Sequence, residues 1–321
     1  MRQAEHDPSP LAMLETMMLI RAYEEAVAGI AAGGTAPGTC TSVGQEAAAV
    51  GVLRALARRD QILTNHRSAG HLLARGADPG RLIAEVLGKR TGYCKGKSGS
   101  LHISAAELGV VLTSTIVGGE LSLATGVALS RTMKPGDDGV VATFFGDGAA
   151  CEGVFHESLN LAAMWSLPIL YVCENNQWQA FVHRRETMPV EHVRTWAAAH
   201  GIEAHTVDGN DVEVVHAAAS AAVARIRATR KPVFLEALTY RTRGHYEPDD
   251  QAYVDPAELA AWRARDPIEL LAQRLRADGR LDDAGFARIS LRTHAAIDEA
   301  VAFAKASPFP ELSELVTDVY A

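Results

Sequence analysis

The sequence predicts an α/β fold, a doubly wound and mainly parallel sheet flanked by helices. Three observations lead there. Apolar, β-branched runs at 139–145, 169–173 and 232–240 have the length and composition of strands buried on both faces. Between the first two lies GDGAACEGVFHESLNLAAMWSLP, a glycine turn and then a helical stretch, so the unit reads as strand, crossover and parallel strand. The exits of the runs carry Asp147, Asn176 and Arg241, which puts acid, amide and base along one edge of the sheet.

Leu11 to Ala32 reads as an amphipathic helix, with Leu11, Leu14, Met18, Tyr23 and Val27 among its apolar positions. Glycines and Pro37 then break the pattern. Ser42 is the expected N-cap of the next helix, with Gln45 as its capping-box partner. Gln61 to Thr64 is a short strand that exits into Asn65-His66-Arg67-Ser68. An arginine at a strand exit can hold a phosphate through paired hydrogen bonds, or can be an ordinary surface residue. His71 reads equally well as part of this segment's chemistry and as a packed helix residue. TGYCKGKSGSLHIS, at 91–104, is glycine-rich but is not a P-loop, since three residues rather than four separate Gly92 from Gly96-Lys97.

In the central unit, Gly146 and Gly148 allow a tight turn and close approach of a ligand to the backbone. His156, Leu159, Ala163 and Trp165 fall on or near one side of the helix that follows, and Leu167-Pro168 ends it. Asp147 and Asn176 leave neighbouring strand tips, with a helix amino terminus between them offering free N–H groups to an anion. A carboxylate and an amide oxygen suit Mg²⁺ with a diphosphate better than a transition metal. GDG alone is an ordinary turn; followed about thirty residues later by NN, just past a second strand, it gains the context that such a motif needs. Phe181 to Val190 is polar and basic. Glu203 to Val207 is a strand, Val207 to Asp211 a turn and helix cap, and an alanine-rich helix runs to about Thr229. His192, His200 and His205 show no partner spacing. Asp255 to Ala321 is helical and amphipathic, with Arg265 to Ile268 structural. The organisation expected is therefore a helical extension over 1–40, the α/β domain over 41–254 and a helical extension over 255–321.

Composition narrows the function classes. The chain has 321 residues, 48% hydrophobic, and a net charge of −8 with no lysine-arginine block, which argues against non-specific nucleic-acid binding. The apolar stretch near the amino terminus carries Glu15, Arg21, Glu24 and Glu25, so neither a signal peptide nor a membrane span is expected. Cys40, Cys94, Cys151 and Cys173 are scattered without CxxC spacing. A cytoplasmic protein with reduced thiols is the expectation.

The GDG…NN pattern resembles the thiamine-diphosphate (ThDP) motif. In its ENN form it is similar to the alpha subunit of the first component of 2-oxo acid dehydrogenase complexes, of pyruvate, branched-chain or acetoin type. The GQE at Gly44 to Glu46, KGKSGSLHIS, STIVGGELSLATG, VDGND, YRTRGH and RDPI match family strings in the same order from Leu11 to about Ile268. The resemblance implies the diphosphate-binding half of a ThDP fold. It places Mg²⁺ on Asp147, Asn176 and the carbonyl of Trp178, and diphosphate oxygens on the backbone of Gly146, Gly148 and Ala149. It assigns the terminal phosphate to Arg67, preceded here by His66 where tyrosine is usual. Backbone groups of Thr115 and Val117 would reach the aminopyrimidine edge, Arg241 and His245 the diphosphate and the reaction centre, and His102 the active centre. The chain holds only one of the two domains that ThDP chemistry needs. A beta subunit is therefore implied, supplying the pyrimidine-binding domain and its glutamate in an α2β2 assembly. The implied reaction is decarboxylation of a 2-oxo acid and acyl transfer to a lipoyl-bearing dihydrolipoyl acyltransferase, or cleavage of acetoin. A split transketolase-like half and a non-catalytic scaffold are the alternatives. Cys40, where pyruvate-type relatives have histidine, and Trp178-Gln179-Ala180 depart from the family pattern, and both fall where substrate choice is set. Tyr246 stands where mammalian-type pyruvate members carry a regulatory serine.

Overall fold

Alternation of apolar strand and amphipathic helix gives one sheet with helices on both faces. The computed structural model describes residues 7–34 and 38–318; Pro37 and the two chain ends lie outside them. In chain order the elements are α1 (Pro10–Ala32), α2 (Glu46–Ala55), β1 (Gln61–Thr64), α3 (Ala69–Ala74), α4 (Pro79–Val86), β2 (Val110–Thr113), α5 (Gly119–Thr132), β3 (Val141–Gly146), α6 (Gly153–Trp165) and β4 (Ile169–Asn175). They continue as β5 (Trp178–Gln179), β6 (Val182–His183), α7 (Arg194–Ala199), β7 (Glu203–Asp208), α8 (Val212–Thr229), β8 (Val233–Leu238), α9 (Pro256–Arg263), α10 (Pro267–Ala277) and α11 (Asp283–Ala306).

Six strands form the main sheet in the order β2-β1-β3-β4-β8-β7, and every pairing in it is parallel. The order reverses between β1 and β3, which is the crevice where doubly wound sheets bind ligands outside the carboxyl ends of their strands. Strand residues alternate between two cores, as the period of two requires. Ile62, Ala142, Phe144, Leu170, Val172 and Leu235 face one cluster, which α1, α2, α8, α10 and α11 complete. Leu63, Val141, Phe145, Tyr171, Cys173 and Phe234 face the other, under α5, α6 and α7.

Two local expectations are corrected. The face of α6 that packs inward is Phe155, Ser158, Leu159 and Ala162, whereas His156 is exposed and Trp165 is 47% exposed. Phe155 sets this rotation by wedging its ring between Phe145 and Phe234, 5.9 and 6.1 Å away. The N-cap of α2 is Gln45 rather than Ser42, and it makes no side-chain capping bond. Ser42 is drawn off by the buried Glu24 carboxylate, to which its N–H and hydroxyl donate at 2.9 and 2.6 Å. The carboxy-terminal region is helical as far as Ala306 and then extended, apart from a short turn at Leu312–Val316. Asp211 and Asp266 cap α8 and α10, which gives VDGND and RDPI structural roles.

Packing of α2 on α8 is unusually close at Gly51. A Cβ added there would lie 2.7 Å from the Val215 side chain and 3.0 Å from the Val212 carbonyl oxygen. Gly51→Ala is therefore expected to destabilise the chain by about 1–3 kcal/mol through overpacking. A urea unfolding curve checks this; an unchanged midpoint would mean that the helices part without strain. No helix among the described residues is long and apolar enough to cross a membrane.

Candidate active site

The carboxyl ends of β1, β2, β3, β4 and β8 converge on a cavity of about 330 Å³. Each strand contributes its last residue or those that follow it. Asn65, His66 and Arg67 come from β1, Ser114, Ile116 and Val117 from β2, Gly146, Gly148 and Ala149 from β3, Asn176 from β4, and Arg241 and His245 from β8. The small antiparallel hairpin of β5 and β6 adds Trp178, Gln179 and Ala180. Its tip carries Phe181, whose ring sits edge-on to His245 at 5.3 Å and to Tyr253 at 5.4 Å. Gly148 is needed for space rather than for backbone angle, since a Cβ there would meet the Gln179 side chain at 3.3 Å.

Asp147 lies between two of these lining glycines and is fully buried. Neither of its carboxylate oxygens has a hydrogen-bond partner. Burial pushes its carboxyl up to about 6, against the pull of its own backbone N–H, the charge of Arg184, the Gln179 amide and the Asn176 N–H, none of which closes a full hydrogen bond to it. An unpartnered buried carboxylate is expensive in a folded chain, and a bound cation is the usual remedy. Asn176 lies at the end of the adjoining strand. Its Oδ1 accepts from the Trp178 N–H at 3.2 Å and its Nδ2 donates to Gln45 Oε1 at 3.2 Å. Among the described residues no three histidine, cysteine or acidic side chains cluster as a metal site. One carboxylate with amide and carbonyl oxygens is a donor set for Mg²⁺, which retains oxygens from water and phosphate.

Four nitrogen-bearing side chains crowd the other part of the cavity. Arg67 donates from Nη1 to the Thr41 carbonyl at 2.7 Å and from Nη2 to the His245 carbonyl at 2.7 Å. Its Nη2 lies 3.3 Å from His245 Nδ1, and Arg241 Nη1 lies 3.5 Å from the same nitrogen. These contacts make Nδ1 the acceptor and leave the proton of the neutral ring on Nε2. Burial and then Arg67 push Arg241 down to about 10, and its Nε has no partner. Burial, Arg67 and Arg241 push His245 down to about 4, and burial followed by Arg67 pushes His66 down to about 3. Two guanidinium groups desolvated in this way, with no carboxylate hydrogen-bonded to either, suit an anion with several charges. The loop is held by Tyr253, whose hydroxyl accepts from Arg241 Nη2 and donates to Asp249 Oδ2, both at 2.7 Å.

The structure thus gathers His66, Arg67, Val117, Gly146, Gly148, Ala149, Asn176, Trp178, Arg241 and His245 around one cavity, with Asp147 buried between two of them. Thr115 and His102 are not among the lining residues. His102 is exposed, with Nε2 3.1 Å from Thr115 Oγ1. The helix amino terminus expected beside Asp147 is also displaced, because a tight turn at Ala149–Cys151 precedes α6. His71 is buried between Thr64 Oγ1 at 2.7 Å and Glu174 Oε1 at 2.9 Å, a packed residue beneath the site. All four cysteines are free.

The glycine-rich segment 91–104 proves to be anchored from inside the protein. The Glu85 carboxylate accepts from the N–H groups of Cys94, Gly96 and Ser98 at 2.7, 3.0 and 2.9 Å, and from the Ser98 hydroxyl at 2.9 Å. Sequence reasoning also missed Glu120 and Glu152, both cavity-lining. Nothing distinguishes them in the sequence from the acids that commonly begin helices.

Glu24, behind Arg67, is a further buried acid. Burial pushes it from its ordinary 4.5 up to about 7. The folded chain then holds a proton that the unfolded chain releases, so this contribution is complete below about pH 4.5 and is lost as pH rises through about 7. The size is on the order of 3 kcal/mol. Glu24→Gln is expected to flatten that fall when urea stability is measured from roughly pH 5 to 8. An unaltered slope would show that the carboxyl is already ionised in the fold.

The family described as the dehydrogenase E1 component matches residues 15–313. The alpha subunit of acetoin:2,6-dichlorophenolindophenol oxidoreductase from Bacillus subtilis (strain 168) is 39% identical over 310 residues, covering 96% of this chain and 92% of that protein. The alpha subunit of the pyruvate dehydrogenase E1 component from Rhizobium meliloti (strain 1021) is 37% identical over 305 residues, covering 94% and 87%. The acetoin-type alpha subunit from Cupriavidus necator is 38% identical over 312 residues, covering 97% and 93%.

Proposed function

The chain belongs to the dehydrogenase E1 component family, and we propose that it is the alpha subunit of a ThDP-dependent 2-oxo acid dehydrogenase, decarboxylating a 2-oxo acid and passing the acyl group to lipoamide. One observation carries the assignment of the site. The unpartnered Asp147 carboxylate and the Arg67–Arg241–His245 cluster lie at the same sheet edge, matched respectively to a cation and to a polyanion. Mg²⁺ with a diphosphate satisfies both.

The residues present fit that group. Asp147, Asn176 Oδ1 and the Trp178 carbonyl would hold Mg²⁺, and Arg67, Arg241 and His66 would take phosphate oxygens. The backbone at Gly146, Gly148 and Ala149 leaves room for close approach. When bound, ThDP supplies the carbon that acts as electron sink in decarboxylation. His245 is neutral at pH 7, so its Nε2–H is a hydrogen-bond donor there rather than a cation. Val117 and Ile116 give the cavity an apolar wall that would help to orient a heterocycle.

A beta subunit completes the site. Ile116 and Val117 are 67% and 51% exposed at the mouth, and Leu123 on α5 and Met164 and Trp165 on α6 are further exposed apolar side chains. Exposed apolar area of that kind supports a partner surface. The acyl acceptor is a lipoyl-bearing dihydrolipoyl acyltransferase. Acetoin is the second reading, favoured by the loop GHYEPDDQ and by the acetoin-type relatives.

The test is calorimetric titration of ThDP with Mg²⁺ into the chain alone and into its complex with a co-expressed beta subunit. Tight binding by the complex only is expected. Tight binding by the lone chain would overturn the shared site, and none in either folded form would overturn the cofactor.

A further inference from the structure

Glu120 is the second residue of α5. It is 1% exposed and lines the same cavity as Arg67 and Arg241. Its Oε2 has no hydrogen-bond partner. Burial pushes its carboxyl up to about 7, opposed by its own backbone N–H and by no basic side chain. The same cavity wall includes the apolar side chains of Ile116 and Val117, close to Glu120 in the chain. A buried carboxyl without a cation is cheaper to keep neutral. The neutral acid then has an O–H to donate.

We propose that Glu120, as an uncharged carboxylic acid, donates a hydrogen bond to an acceptor on the organic part of the ligand in this cavity, either a ring nitrogen of an amino-heterocycle or an oxygen of a 2-oxo acid. The inference rests on the cofactor reading of the cavity and adds to it a contact from the alpha chain's own wall. Glu120 is also chemically separate from Asp147, which the same ligand would meet as a metal-binding carboxylate.

The experiment uses the alpha–beta complex with Mg²⁺ and compares wild type with Glu120→Ala and Glu120→Gln. Removal of the donor in Glu120→Ala is expected to cost about tenfold. A tenfold weaker ThDP titration places the acceptor on the cofactor. Intact ThDP binding with a tenfold higher KM for the 2-oxo acid, and little change in kcat, places it on the substrate. Glu120→Gln keeps a donor and is expected to stay within about threefold of wild type in both measurements. If it falls as far as Glu120→Ala, the site needs the ionised group and the proposal fails. It fails too if Glu120→Ala matches wild type in both. Glu120→Leu replaces the alanine variant should that one not assemble; loss of assembly in both would assign Glu120 to subunit packing and overturn the contact. A wild-type complex that binds no ThDP removes the cofactor reading first, and this inference with it.

Discussion

Asp147→Asn is expected to make the ligand-free chain melt higher than wild type while abolishing Mg²⁺-dependent binding of ThDP. The two effects have one cause. In the folded chain the carboxylate is fully buried with both oxygens unpartnered, so the fold carries the cost of its desolvation. An amide of the same shape removes the charge and recovers about 1–3 kcal/mol. It also removes the acid proposed to ligate Mg²⁺. Thermal melts with and without Mg²⁺ and ThDP check both halves, because a ligand that binds only the folded state raises its melting temperature. Wild type is expected to gain on adding the pair, and the variant to show the higher baseline and no gain. A lower baseline for the variant would mean that the carboxylate has a partner in the folded chain.

Arg241→Ala carries the second large effect. Its guanidinium is half of the cation pair over the cavity. Deleting a charge-assisted hydrogen bond from a desolvated site costs about 3 kcal/mol, or roughly a hundredfold in Kd for ThDP. Thiamine, which has the same rings and no phosphate, should bind the variant and wild type alike. The same change lifts one of the charges that hold His245 down to about 4, so the His245 titration followed by NMR should move up toward 6.5. A variant that weakens thiamine and ThDP equally would place Arg241 in the architecture of the 240–253 loop rather than on the phosphate.

The architecture was legible because its signals are local and periodic. The apolar runs at 139–145, 169–173 and 232–240 could be little other than buried parallel strands, and β3, β4 and β8 stand there side by side. The gathering of the charged side chains was legible for a related reason, since Asp147, Asn176, Arg67 and Arg241 each follow a strand and the parallel sheet brings its ends together. What escaped depends on distant packing. Ser42 looked like a cap until Glu24, eighteen residues earlier, took its hydroxyl. The rotation of α6 was set by rings on β3 and β8 that no helical period contains. His102 carried a family string but points its ring at Thr115, outside the cavity lining. Glu120 escaped because an acid at a helix start is so ordinary that only its burial marks it out.

The grip of Glu85 on the segment from Cys94 to Ser98 bears on how such a loop keeps its shape. Runs of backbone N–H groups of this sort ordinarily cradle a phosphate. Here the negative charge is built into the chain, so the cradle is already filled by a side chain and has no vacancy for a passing anion. The segment resembles a lock supplied with its own key. Its shape is thus fixed by a contact internal to the chain and does not depend on a bound anion.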